Sequence, residues 1–250
     1  MLKRRVIPTL LFKDNVLVKG KNFLSNRPVV SAIESVKTYD LREVDELIFN
    51  DILASTKNNE PDYNMISEIS KECFVPLVVG GGIKNLKIIE NLLRNGADKV
   101  SINTWGVKDP DLLKQASKEF GSQCIVGSLD YKKSKNNKVF TICGTQIENY
   151  NILEMAEIFE QNGCGELIIT SIDNDGNLCG YDVDILQKIK KKIKIPLIAS
   201  GGCGSYDHML EVFKDANVDA VAAASIFHFS KMTPREAKKY LFSKGINVRN

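Results

Sequence analysis

Two stretches of this chain, offset by 120 residues, carry the residue types that hold a phosphate. Val75 to Trp105 reads VPLVVGGGIKNLKIIENLLRNGADKVSINTW, and Ile195 to Phe227 reads IPLIASGGCGSYDHMLEVFKDANVDAVAAASIF. In each, an apolar run ends in glycines (Gly81 and Gly82; Gly201 and Gly202). A helical pattern follows, and a second apolar run ends in small or polar residues (Asn103 and Thr104; Ala224 and Ser225). Glycine lets backbone come close to a ligand, and the free N–H groups at a helix start attract phosphate. One glycine run alone reads equally well as a tight turn. Its recurrence at a matched position points instead to a ligand with two phosphate groups, one held by each copy.

A second set of residues could move protons or pair charges. Asp130 closes the run SLD, and Lys19, Asp51, Thr170, Ser171, Asp175 and Gly176 sit at comparable run ends. The repeat extends to these segments. RRVIPTLLFK (Arg4 to Lys13) matches QCIVGSLDYK (Gln123 to Lys132), which makes Leu11 the counterpart of Asp130. Leucine cannot exchange a proton. Asp14 lies three residues on, but along a strand it points elsewhere and sits roughly 10 Å away. At the opposite, N-terminal ends of the same runs stand Arg5, Glu46, Lys99 and Glu166, two bases and two acids. Charges inside a core are costly unless paired, so these four imply a closed ring of salt bridges.

The elements that must position these residues read as alternating strands and helices. Expected strands are Arg4 to Leu11, Asp45 to Asn50, Pro76 to Gly80, Lys99 to Ile102, Cys124 to Leu129, Glu166 to Ser171, Ile195 to Ser200 and Asp219 to Ala223. Expected helices lie at about Val29 to Leu41, Tyr63 to Phe74, Leu86 to Asn95, Pro110 to Phe120, Ile152 to Asn162, Asp182 to Ile193, Tyr206 to Ala216 and Pro234 to Ser243. The continuous apolar strands are those of a parallel sheet covered on both faces. VDELIFNDILAS (Val44 to Ser55) also matches GELIITSIDNDG (Gly165 to Gly176). The pattern predicts an α/β chain folded as a (β/α)8 TIM barrel made of two duplicated half-barrels, with residues 1–250 as one domain. In such a barrel the ligand site lies at the C-terminal strand ends. The long segment Phe12 to Pro28 is expected to cover that site as a loop. Asn136-Asn137 between two extended segments predicts a small hairpin.

Composition excludes several classes. The 34 basic and 31 acidic residues leave a net charge of +3, which does not suggest a nucleic-acid or membrane surface. KIKKKIK (Lys188 to Lys194) reads as the solvated side of an outer helix. No run of about 18 apolar residues exists, and the basic start MLKRRVIPTLLF has too short an apolar part for a signal peptide. A soluble, cytoplasmic protein is expected. The six cysteines show no CxxC spacing and read as reduced thiols. With two histidines in the chain, a metal site is not expected, and no cofactor fingerprint is present. His228 reads as structural, flanked by Phe227 and Phe229, and Trp105 as a lid or packing residue.

The chain resembles the cyclase subunit of imidazole glycerol phosphate synthase, the HisF family, over essentially its whole length. VKG, GGGI, GADKVSINT, TSIDxDG, ASGG and AASxFHF carry the resemblance. It implies a barrel that takes ammonia from a HisH-like glutaminase in a heterodimer and uses it on a bisphosphorylated nucleotide in histidine biosynthesis. It also implies two catalytic aspartates as general acid and base. Asp130 matches one, with Lys19 beside it; Leu11 stands where the resemblance requires the other. By the same resemblance Arg5, Glu46, Lys99 and Glu166 form an ammonia gate, and Asp98 contacts the glutaminase. Gly81, Gly82, Asn103, Thr104, Asp175, Gly176, Gly201, Gly202, Ala224 and Ser225 bind the phosphorylated small molecule.

An intact inlet with half an acid–base pair is similar to a subset of HisF-like proteins found with surface-polysaccharide genes. These pass ammonia to a third protein, an amidotransferase that acts on a sugar. That is the function expected here. Two others stay open: a working cyclase that tolerates Leu11, which would be a lyase, and a scaffold that senses a phosphorylated ligand and activates a glutaminase. A related isomerase is disfavoured, because it too needs a strand-one carboxylate.

Overall fold

The computed structural model describes residues 3–14, 16–29 and 31–249. Its strands are β1 (Arg5–Lys13), β2 (Val16–Lys21), β3 (Leu24–Pro28), β4 (Leu47–Asp51), β5 (Leu77–Gly80), β6 (Lys99–Ile102), β7 (Ile125–Lys132), β8 (Lys138–Thr141), β9 (Gln146–Asn151), β10 (Glu166–Ser171), β11 (Leu197–Ser200) and β12 (Ala220–Ala223). Eight of them pair in parallel in the order β1, β4, β5, β6, β7, β10, β11, β12, and β12 returns to β1. The closed circuit with helices between its strands is a (β/α)8 barrel.

Alternation along each strand sorts side chains into two cores. Val6, Leu10 and Phe12 of β1 join the large cluster between sheet and helices. Ile7, Ile48, Val78, Val126, Ile168 and Ile198, with Ala220 and Ala222, fill the barrel interior and are almost wholly buried. The period of two therefore stacks interior residues in layers. On β1 the stack from bottom to top is Arg5, Ile7, Thr9 and Leu11; on β7 it is Val126, Ser128 and Asp130; on β10 it is Glu166, Ile168 and Thr170.

The duplication is visible in local chemistry. Asn85 Oδ1 caps the helix Leu86–Arg94 by accepting from Ile88 N, and Ser205 Oγ caps Tyr206–Asp215 by accepting from His208 N. Asp98 accepts the Leu77 N–H at 2.8 Å, and its counterpart Asp219 accepts that of Leu197 at 2.9 Å. Each half also carries a short extra helix after its last strand, Thr104–Lys108 and Ser225–Phe229.

The structure corrects several sequence expectations. Strand one runs on to Lys13, and the following segment is a β-hairpin rather than a loop: β1 pairs antiparallel with β2, and β2 with β3. The alternating Val16, Val18 and Leu24 give it strand character that the charged residues among them disguise. The first helix begins at Ala32, behind the Ser31 cap, and residue 30 of the expected start lies outside the described residues. The helix expected to reach Ile193 stops at Lys190, yet Ile193 is still buried, so its apolar character reflects packing and not helix. The hairpin expected near Asn136-Asn137 is present, with both residues at positive φ (55° and 58°) between β7 and β8, and a further strand β9 extends it. No helix among the described residues is long and apolar enough to cross a membrane.

Candidate functional site

The C-terminal strand ends surround a cavity that gathers fifteen of the sixteen residues expected at the top: Leu11, Lys19, Asp51, Gly81, Gly82, Asn103, Thr104, Asp130, Thr170, Asp175, Gly176, Gly201, Gly202, Ala224 and Ser225; Ser171 is buried and does not line it. Its two ends are built alike. At Gly81 (φ +109°) an added Cβ would lie 2.2 Å from the Asp51 carbonyl oxygen, and at Gly201 (φ +88°) 2.6 Å from that of Ser171. These turns therefore exclude a side chain both by backbone conformation and by space. Facing them, the helices Thr104–Lys108 and Ser225–Phe229 start without any side-chain cap, since neither Asn103 nor Ala224 supplies one. Their first amides are left for a ligand, and anions suit such helix starts. Ser55 Oγ accepts the Gly82 N–H at 3.3 Å and extends the first cradle with a hydroxyl.

Between the cradles stand Asp130 and Leu11. The Asp130 carboxyl is enclosed, with Asn103 Nδ2 donating to its Oδ2 at 3.0 Å and the Thr170 hydroxyl alongside. Burial pushes its pKa from 3.8 up to about 7, and the nearby Asp175 carboxylate adds to the rise against the two hydrogen bonds. Lys19 is buried and donates to Asp175 Oδ1 at 2.9 Å, which binds the β2 strand to the loop after β10. Leu11 occupies the cavity wall on β1. Asp14 is turned away, paired with Lys57 in solvent. Asp51 is engaged as a cap for Leu53 N and Ala54 N, and burial raises its pKa.

Sequence reasoning missed the cavity floor. Thr9, Ser101, Ser128 and Ser200 line it beneath the strand ends, together with Asn50. Thr9 Oγ1 is buried and makes no hydrogen bond among the described residues. The signal was available: each lies two residues before a wall residue on its own strand, and period two puts both on the same face. Phe23 and Cys143 were also missed. They come from the β2–β3 and β8–β9 turns, which meet over the mouth, where an added Cβ on Gly144 would touch the Phe23 ring at 3.0 Å. Cys143 donates its thiol to the Ile52 carbonyl, and burial pushes its pKa up to about 12, so it is not a nucleophile. Trp105 lies on the wall, with Lys108 Nζ 5.7 Å from its ring centroid. His228 sits edge-on to Tyr39 with its Nδ1 3.3 Å from the phenolic oxygen, and burial lowers its pKa to about 4. The side chain of Phe229, expected beside it, lies outside the described residues.

The strand starts hold the four charged residues in a closed ring. Arg5 Nη1 donates to Glu46 at 2.5 Å, and Arg5 Nη2 pairs with Glu166. Lys99 Nζ lies 3.0 Å from both Glu46 and Glu166. Burial alone would lower the Arg5 pKa; the two carboxylates reverse this and raise it. Lys99 is the most exposed member, with 21% of its side chain accessible. Asp98, next to it in sequence, is exposed at the rim. Ring, apolar layer, hydroxyl floor and cavity thus follow one another along the barrel axis.

A family model described as histidine biosynthesis protein matches residues 5–233. The matched span includes every barrel strand, both glycine turns and all four members of the ring.

Proposed function

The chain belongs to the histidine biosynthesis protein family, and from that premise we propose that it is the barrel subunit of a cytoplasmic, glutamine-dependent amidotransferase complex. A HisH-like glutaminase supplies ammonia at the strand starts. The barrel delivers it towards the top, for amidation of a sugar or sugar nucleotide by a third protein in surface-polysaccharide synthesis. The single observation that carries this reading is the pairing of an intact ion ring below with Leu11 opposite Asp130 above.

The physical logic runs upward along the axis. Neutral ammonia can cross the layer of Ile7, Ile48, Val78, Val126, Ile168 and Ile198, whereas an ammonium ion would have to lose its hydration without a partner. The ring must part for ammonia to pass, and Lys99, the least buried member, is the one with solvent to move into. Above the apolar layer, Thr9, Ser101, Ser128 and Ser200 offer hydroxyls to the arriving molecule. There the usual acid–base chemistry lacks half its apparatus. Asp130, with its pKa pushed up to about 7, can donate a proton or accept one near neutral pH, but Leu11 can do neither.

A second reading has its own support. Both glycine turns have the backbone geometry that a phosphate site needs, and Asp130 is held by Asn103 and Thr170, as a ligand-binding cyclase pocket would require. On that reading the protein is a lyase whose second proton carrier is not on β1.

Reconstitution with a HisH-type glutaminase tests the first reading. It expects a stoichiometric complex in which glutamine is hydrolysed faster than by the glutaminase alone. A glutaminase that neither binds nor responds would reject it.

A further inference from the structure

Two equivalent rows of residues stand side by side on the strand ends, and their chemistry has diverged. In the second half of the barrel Thr170 on β10 is in register with Asp130 on β7 and with Ser200 on β11. The first half repeats the row on β4, β1 and β5, where Asn50 is in register with Leu11 and with Gly80. Leu11 thus corresponds to Asp130, Asn50 to Thr170 and Gly80 to Ser200. One row is a carboxyl with two hydroxyls. The other is an aliphatic group, a carboxamide and bare backbone. Both Leu11 and Asn50 line the cavity.

The Asn50 carboxamide has a place made for it. A Cβ added at Gly80 would lie 2.2 Å from Asn50 Oδ1, so the carboxamide fills the room that a side chain there would need. Gly80 has no positive φ, unlike Gly81 and Gly82, so a larger residue there would meet the Asn50 side chain before any backbone strain. Asn50 is not spent on the protein's own bonds. Asp130 is held by Asn103 and Thr170, but Asn50 makes no side-chain hydrogen bond among the described residues. Thr9, two residues before Leu11 on the same face, adds a buried hydroxyl that also lacks a partner.

A carboxamide presents a donor beside an acceptor. Its complement is a ligand group with an acceptor beside a donor, which is another amide. A carboxylate offers acceptors alone and an ammonium donors alone, and each leaves one side of Asn50 unmatched. Leu11 beside it offers an apolar contact to the substituent of such an amide. Gly80 leads directly into the Gly81–Gly82 turn, so this wall adjoins one of the two phosphate positions.

We infer that Asn50, with Leu11 and Thr9, forms a specificity-determining subsite for an uncharged N-acyl amide carried by the phosphorylated ligand. This rests on the reading of the cavity as a phosphate-ligand site and goes further by naming a second group of that ligand; the glutaminase partnership is not needed for it. The cavity then has an ionisable side at Asp130 and a neutral side at Asn50, and the ligand is oriented between them.

Titration calorimetry of the full chain with N-acetylglucosamine 6-phosphate and glucose 6-phosphate, which differ by an acetamido group in place of a hydroxyl, tests this. The unaltered chain is expected to prefer the N-acetyl compound about 10-fold, as two neutral hydrogen bonds would give. Asn50→Leu is expected to bring the ratio of the two affinities to about one. Gly80→Ala, which displaces the carboxamide without removing it, is expected to lower the ratio in the same direction. Because the ratio is read, any general loss of phosphate affinity cancels, and melting temperatures check that the barrel is intact. A ratio near one in the unaltered chain, or a preference kept by Asn50→Leu, overturns the subsite and leaves the phosphate positions standing. Failure to bind either sugar phosphate also overturns the subsite; failure to bind inorganic phosphate as well overturns the phosphate-ligand reading with it.

Discussion

Leu11 and Asp130 face each other across the cavity from β1 and β7, four strands apart in a circuit of eight and therefore on opposite sides of the barrel. The duplication makes them equivalent positions of the two halves, so one half has kept a proton carrier where the other has an aliphatic wall.

Asp130 makes stability depend on pH in an unusual direction. Its carboxyl is pushed from 3.8 to about 7, chiefly by burial. Between about pH 4 and 7 the folded protein therefore holds a proton that the unfolded chain has released, and stability falls as pH rises through this window. The loss should be on the order of a few kcal/mol, and Asp130→Asn should abolish that component. Urea unfolding at pH 5 and pH 8 checks this; equal pH slopes for variant and parent would contradict it.

The ion ring should be sensitive to loss of a carboxylate. Glu166→Gln leaves Arg5 and Lys99 sharing Glu46 in a largely buried setting, and should destabilise by about 3 kcal/mol or more. Lys99→Met should cost clearly less, because that side chain keeps some solvent contact. Chemical denaturation of the two variants, side by side, gives the order.

The glycine turns predict a matched pair of effects. Gly81→Ala and Gly201→Ala each force a Cβ against a carbonyl oxygen at positive φ. Each should destabilise by about 1–3 kcal/mol and remove binding of a bisphosphorylated ligand at its own end. Binding of inorganic phosphate, followed calorimetrically, should fall by one site in each single variant and by both in the double.

Much of this was legible in the sequence because it depends on local pattern. Period-two alternation and the 120-residue repeat place Gly81, Gly201, Asn103 and Asp130 at strand ends without any tertiary information. The four ring residues stand at the strand starts by the same reasoning. The β2–β3 hairpin was not legible, because Lys13, Lys19, Lys21 and Arg27 break the apolar run, and its stability comes from contacts far along the chain. Lys19 reaches Asp175, and Asn22 donates to the carbonyls of Ile172 and Asp173. Phe23 and Cys143 were missed for the same reason: they join the cavity by tertiary folding of two turns and not by strand register.

The most direct test of the central claim is cyclase turnover of the purified chain. It uses the bisphosphorylated nucleotide substrate and a high concentration of ammonium salt above pH 8, with Leu11→Asp measured beside it. Ammonium bypasses the glutaminase, so the barrel's own chemistry is what is measured. The account predicts no turnover by the unaltered chain and measurable turnover by Leu11→Asp, since Asp130, Lys19 and both cradles are already in place. Turnover by the unaltered chain at a rate matching or exceeding that of Leu11→Asp would contradict it, and would make this barrel a cyclase with a second proton carrier away from β1.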